Sequence, residues 1–215
     1  MEIEAKFAVP DEATLERLAQ ADRLAGYTLL PAKIKRVHDT FMDTPDRAVL
    51  TSGHVCRQRD YGDHIVMSLK SGHTVEGGVH RREELEVTLP QAMPISQWPD
   101  SEIRTKLLYL IGDVTLTSLF DQWQTRVVRM TLAPTAVQCG VSQTDRIVAE
   151  FSADRVELSR GDRQALYFEM EVELKESGTD DDLNAIVACL KDEWGLQPEA
   201  RSKFQRALAF SRDGA

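Results

Sequence analysis

Near its start the chain alternates strictly: Glu2, Glu4 and Lys6 are interleaved with Ile3, Ala5 and Phe7. Side chains of a strand point alternately to its two faces, so this segment carries two acids and a base on one side and apolar groups on the other. A short alternation alone describes any solvated edge strand. Here it returns far along the chain in Phe168-Glu169-Met170-Glu171-Val172-Glu173-Leu174, with carboxylates on one face and Phe168, Met170, Val172 and Leu174 on the other. Two such strands leave two arrangements. An open sheet can bury the apolar face under helices and wet the charged one. A closed barrel of about eight strands can instead turn the charged face inward, around a cavity for one small ligand.

The intervening sequence supplies more strands of the same kind. Arg57 and Arg59 flank Gln58; Arg82, Glu84 and Glu86 flank Glu83 and Leu85; Thr125 and Arg129 share the face opposite Arg126. Patterning predicts strands over 35–42, 55–61, 64–70, 79–89, 123–132, 146–151 or slightly beyond, and 165–175, with a hairpin about Gly62-Asp63. Segment 50–53 turns the chain back, 72–78 is a loop and 90–99 a surface connection. Asp11 suits the N-cap of a helix ending near Gly26, and a second helix is predicted over 101–111. Leu183, Ile186, Val187, Leu190 and Trp194 share a helical face, Gly195 suits its stop, and Pro198 the first turn of a last helix. Strands in the middle with helices at the flanks make an α+β protein.

Composition narrows the partners. A net charge of -9 and a pI near 5.1 disfavour nucleic-acid binding through a general basic surface. Cys56, Cys139 and Cys189 are widely spaced and form no CxxC, which argues against a disulfide framework or a zinc site. No apolar run approaches the roughly 20 residues that span a bilayer, and the first residues are charged strand rather than a basic-then-apolar leader. The expectation is a soluble, cytoplasmic protein with no membrane or nucleic-acid partner.

If the charged faces point inward, acids and bases meet across a cavity. Unpaired buried charges lose several kcal/mol of solvation, so such a lumen makes sense for a ligand that brings both signs. A polyphosphate with divalent cations does so: its oxygens call for Arg and Lys, its cations for carboxylate oxygen. Clustered Glu with little Cys or His favours hard cations such as Mg²⁺ or Mn²⁺.

Five segments occur in a telling order: Glu2-x-Glu4-x-Lys6, His38-Asp39-Thr40-Phe41-Met42-Asp43-Thr44-Pro45-Asp46, Val55-Cys56-Arg57-Gln58-Arg59, Glu169-x-Glu171-x-Glu173, and Pro198-Glu199-Ala200-Arg201-Ser202-Lys203-Phe204-Gln205-Arg206. Together they resemble the CYTH superfamily, also called triphosphate tunnel metalloenzymes, across about residues 1 to 210. The resemblance implies a closed antiparallel β-barrel of about eight strands with flanking helices, as one domain over 1–215 without the helical CHAD domain that follows in some bacterial relatives. Carried over residue by residue, it implies metal binding by Glu2, Glu4, Glu169 and Glu171, with Asp154 added from Glu150-x-x-x-Asp154. It implies phosphate binding by Lys6, Arg57, Arg59, Lys70, Arg82, Arg129 and Lys203. Arg126 competes with Arg129, since a bulge exchanges their faces, and Arg206 lies one helical turn from Lys203. Glu84, Glu86, Glu150 and Glu173 complete the expected tunnel acids; Glu4, Glu171 and Lys203 are the expected catalytic residues.

The activity this implies is hydrolysis of inorganic triphosphate to pyrophosphate and phosphate, dependent on Mg²⁺ or Mn²⁺ and needing no protein nucleophile; the motifs look closest to bacterial triphosphatases. Thiamine triphosphatase and class IV-type adenylate cyclase are alternatives on the same tunnel. A noncatalytic polyphosphate- or nucleotide-binding module is the alternative from another class. Homodimerisation is a further expectation from the resemblance.

Overall fold

The computed structural model describes residues 2–76, 79–134, 137–138, 141–142, 146–160 and 162–212, and Cys139 and the Gly77-Gly78 end of the expected loop lie outside them. β1 (Glu2–Val9) leads into α1 (Glu12–Gln20), whose start is fixed by the Asp11 carboxylate accepting the Thr14 N–H at 2.7 Å. The helix stops at Gln20 rather than near Gly26 because β2 (Arg23–Leu24) and β3 (Tyr27–Leu29) form a hairpin there. Its two turn residues, Ala25 and Gly26, both take positive φ, 50° and 82°. Such a turn matches strand twist but normally announces itself with Asn-Gly or Asp-Gly, so the alanine hid it.

β4 (Lys33–Asp43) is followed by α2 (Ala48–Thr51), β5 (His54–Asp60), β6 (Ile65–Glu76) and β7 (Val79–Leu89). Then come α3 (Glu102–Ile111), capped by Ser101, β8 (Thr117–Leu132) and a small pair, β9 (Val137–Gln138) with β10 (Val141–Ser142). β11 (Ile147–Arg160), β12 (Arg163–Leu174), α4 (Asp180–Asp192), β13 (Gln197–Pro198) and α5 (Lys203–Arg212) complete the chain. Eight strands close on themselves in the order β1-β7-β6-β5-β4-β8-β11-β12 and back to β1, every pair antiparallel. Closure leaves these strands no free edge.

Several strands run further than their hydrophobic pattern suggests. β11 reaches Arg160, well past Phe151, because both of its flanks pair, with β8 and with β12. β6 continues through the expected loop to Glu76, its ladder with β7 shifting register between Ser71 and Thr74. Pro198 is not in a helix: β13 pairs with Phe7 and Ala8 of β1, and α5 begins at Lys203.

The apolar faces point outward and are covered by helices. Ala5, Phe7, Phe151, Met170 and Val172 pack with Leu15 and Leu18 of α1 and Leu183, Ile186 and Leu190 of α4. On another side, Cys56, Met67, Leu69 and Leu89 pack against Val49 of α2, Ile103 and Leu107 of α3, and the buried Ile95 and Trp98. Putting the hydrophobic core outside the barrel leaves the inner face to the charged residues. Among the described residues no helix is long and apolar enough to cross a membrane.

Candidate active site in the barrel lumen

The lumen is a cavity of about 530 Å³. Strand register sorts its charges into rows. Glu4 lies beside Glu173 of β12, and Glu173 beside Glu150 of β11, which makes a row of three carboxylates. In the next row Lys6 sits beside Glu171, and Glu171 beside Ser152. The third joins Glu169, Asp154, Arg126 and Lys35.

The opposite wall is basic with interleaved acids. Arg82 donates to Glu2 at 2.6 Å and also to Glu4. Lys70 lies 3.1 Å from Glu2 and 2.9 Å from Glu84, while Arg57 is 3.7 Å from Glu84 and 3.8 Å from Glu86. Burial opposes ionisation of Glu84, but Lys70 and Arg57 outweigh it and hold its carboxyl down to about 2. Glu86 goes the other way, because burial and the neighbouring Glu84 both favour its protonated form. Glu173 is also raised, by burial to which Glu2 and Glu150 add, with Lys175 at 2.7 Å offsetting only part.

At the α5 end, Lys203 is ringed by three carboxylates: Asp154 at 2.9 Å, Glu169 at 2.9 Å and Glu171 at 2.7 Å. Despite burial these acids raise the lysine well above its ordinary value. Burial likewise opposes ionisation of Glu171, yet Lys203, Lys6 and Arg126 hold it well below the carboxylate range. For Glu169 burial wins and the value rises. The helix that delivers Lys203 is fixed by a reciprocal cap, Ser202 Oγ accepting the Gln205 N–H and Gln205 Oε1 accepting the Ser202 N–H. Phe204 then wedges against Phe41 and Phe120, ring centroids 5.3 and 5.5 Å away.

Most of the residues expected from sequence converge on this wall: Glu2, Glu4, Lys6, Arg57, Arg59, Lys70, Arg82, Glu84, Glu86, Arg126, Glu150, Glu171, Glu173 and Lys203 all line the cavity. Asp154 and Glu169 are fully buried behind it, sealed against Lys203. Arg206 lies to one side, its guanidinium 3.7 Å over the Tyr167 ring and 3.3 Å from Glu199. Arg129 is a correction. It points to the outside of the barrel and donates to four backbone carbonyls, those of Ala19, Ala21, Leu29 and Leu30. The lumen position belongs to Arg126, which donates to Ser152 and Asp154. No bulge falls between them; the register of β8 with β11 runs unbroken from Phe151–Arg129 to Ser159–Asp121. His38 faces outward and stacks on Trp123. Sequence reasoning assigned no role to Asp39, Lys35, Lys175 or Tyr61, though inner-face alternation from Lys35 to Asp39 and from Arg59 to Tyr61 carries the signal.

The donors suit a hard divalent cation. The acids of the lumen offer oxygen only, and the Glu4–Glu173–Glu150 row sets three carboxylates side by side. Among the described residues no three such groups are gathered into a closed cage, so the carboxylates that would hold a cation form an open row.

The family model of the CYTH domain matches residues 1–208. No curated protein matches the sequence at a significant level. Among solved structures, a candidate adenylyl cyclase from Hippeastrum, described as having a dominant triphosphatase activity, superposes with a TM-score of 0.69 at 22% identity, covering 98% of this chain and 96% of that one. A candidate adenylate cyclase from Bacillus halodurans gives 0.59 at 18% identity, with 96% of each chain covered. A Pyrococcus horikoshii protein gives 0.56 at 17% identity, covering 98% of this chain and 99% of that one. These likenesses carry the fold. With the family match over nearly the whole chain and a closed barrel whose charges face inward, the chain belongs to the CYTH family.

Proposed function

We propose that the protein hydrolyses inorganic triphosphate to pyrophosphate and phosphate with Mg²⁺ or Mn²⁺. The observation that carries this reading is the mixed-sign lining of a barrel lumen of about 530 Å³. Neither a neutral metabolite nor a simple anion accounts for both a basic wall and a carboxylate row; a polyanion that travels with cations does.

Arg57, Arg59, Lys70 and Arg82 form the wall that grips phosphoryl oxygens and draws charge from them as the bond breaks. Lys203 and Lys6 approach the chain from the α5 end, and the ionised Glu171 between them fixes both ammonium groups. Glu4, Glu150 and Glu173 would hold a cation, a set that keeps Glu4 of the expected metal ligands and leaves Glu2, Asp154, Glu169 and Glu171 to their ion pairs with Lys70, Arg82, Arg126 and Lys203. Bound there, a divalent ion supplies charge neutralisation and an acidified water. The protein's own part is alignment: narrow walls hold the triphosphate extended and keep one terminal phosphorus open to water.

Cyclisation of ATP is the competing reading, favoured by the Tyr61 and Phe204 rings on the lining, which offer a nucleoside apolar surface. Product analysis decides. Purified protein is incubated separately with tripolyphosphate, thiamine triphosphate and ATP, each with Mg²⁺, Mn²⁺ or chelator. Metal-dependent phosphate release from tripolyphosphate above the others supports the proposal. Cyclic AMP with pyrophosphate from ATP transfers it to a cyclase, and ligand binding without product to a binding module.

A further inference from the structure

Asp39 is fully buried on the inner face of β4, between β5 and β8. Arg59 chelates it side-on, Nε to Oδ1 at 2.6 Å and Nη2 to Oδ2 at 2.8 Å. The amides of Gln122 and Gln124, both on β8, donate to the same Oδ2, the Gln122 contact being 3.2 Å. Arg57 Nη1 stands 4.0 Å away. Both amides spend their N–H groups on this carboxylate although their own buried oxygens gain no hydrogen bond. A polar cluster that leaves acceptors unpaired to satisfy one anion is built around that anion.

A guanidinium has two edges that can bind oxygen pairs. Asp39 occupies the Nε–Nη2 edge of Arg59, a residue that lines the cavity; the Tyr61 side chain also stands beside this guanidinium, and the Nη1 side is the edge that Asp39 does not take. We propose that Asp39 is a positioning residue: anchored by Gln122 and Gln124, it locks the Arg59 guanidinium in one orientation so that the edge it does not occupy is turned, beside Tyr61, toward the phosphate chain. This rests on the triphosphate reading above. A bare countercharge makes the opposite demand. If Asp39 only neutralised Arg59, removing its charge would strengthen the pull on a polyanion; if it positions Arg59, removal weakens binding because the long side chain must be ordered anew.

The experiment compares the wild type with Asp39→Asn, Arg59→Ala and the double variant. KM and kcat for tripolyphosphate are measured at saturating Mg²⁺, alongside the ¹⁵N signal of the Arg59 Nε–H. Positioning predicts that Asp39→Asn raises KM by about tenfold while kcat changes far less, and that adding it to Arg59→Ala does no further harm. It also predicts loss of the slowly exchanging Arg59 signal. An unchanged or lower KM, or effects of the two changes that simply multiply, overturns it. Should Asp39→Asn not fold, Gln124→Met loosens the anchor while sparing the chelate; a smaller rise in KM in the same direction supports the proposal and none overturns it. If the wild type turns over no triphosphate, the proposed function fails by itself, and the Arg59 signal, present in the wild type and lost in a folded variant or unaltered by it, still decides what Asp39 does.

Discussion

At the scale of single residues, the lumen is defined by which charges are matched and which are not. Glu4 stands between the Arg82 and Lys6 cations on one side and the Glu173 carboxylate on the other. Glu4→Gln keeps the shape but removes a charge from the carboxylate row. Turnover should fall, the Mn²⁺ concentration for half-maximal activity should rise by about tenfold, and excess Mn²⁺ should restore part of the rate. Full activity with unchanged metal dependence would remove Glu4 from the site. Lys203 is the reverse case, one ammonium serving three buried carboxylates. In Lys203→Met they retain Lys6, Arg126 and the more distant Arg206, and breaking a buried ion cluster on one side costs about 3–5 kcal/mol. The pH dependence gives the sign. In the wild type the depressed Glu171 contributes stability above the unfolded carboxylate value, and this is lost as pH falls. In the variant the stranded acids rise above their unfolded values, so their penalty is full at pH 7 and relieved on acidification. Urea denaturation at pH 7 and pH 5 should show the gap between variant and wild type narrowing at pH 5; a constant gap would mean the cluster is not ionic.

At the scale of elements, β8 shows what alternation can and cannot reveal. Arg126 and Arg129 are three apart, so they must face opposite sides of a regular strand, yet nothing local says which side is in. The answer comes from other elements: the carbonyls where α1 ends and where β3 ends converge on Arg129 and hold it outside. Arg129→Ala should therefore cost about 2–4 kcal/mol, since several buried carbonyls lose their donor, while leaving KM for tripolyphosphate unchanged. Arg126→Ala takes a partner from the buried Asp154 and Glu171, so it should destabilise the fold by a comparable amount and, unlike Arg129→Ala, also raise KM. A KM defect in Arg129→Ala alone would reverse the assignment. The strands bearing the charged faces were legible because period-2 patterning survives in Glu2–Val9 and Val79–Leu89. The far half of β11 was not, because Asp154, Arg155 and Glu157 break the hydrophobic signal in a strand secured by pairing on both sides. Asp39 escaped functional notice for a related reason. Its partners Arg59, Gln122 and Gln124 come from two other strands, and only barrel closure brings them together.

At the scale of the whole molecule, the fold inverts the usual arrangement, with apolar packing outside the barrel and charge within. The helices that cover the outer face supply the stability, so the lumen can remain electrostatically imperfect. Its imperfections are specific: Glu173 faces Glu2 and Glu150, and Lys70 is depressed because burial and the nearby Arg57 and Arg82 outweigh its acidic partners. On the proposed function a cation would relieve the first and a phosphate the second, so neither ligand alone would complete the interior. The proposed activity then predicts that the two ligands stabilise the barrel together more than the sum of each alone. A ligand that binds only the folded state at a hundred times its dissociation constant adds about 2.7 kcal/mol. For a chain of this size that corresponds to a rise of about 5–10 °C in Tm. Thermal scans should show that rise with tripolyphosphate plus Mg²⁺, smaller shifts with either alone, and reversal on adding chelator. Sodium chloride at matched ionic strength separates site binding from general screening of the net negative charge, which acts on exposed charges and leaves a buried lumen largely untouched. If salt reproduces the whole shift, the lumen holds no joint site for metal and triphosphate.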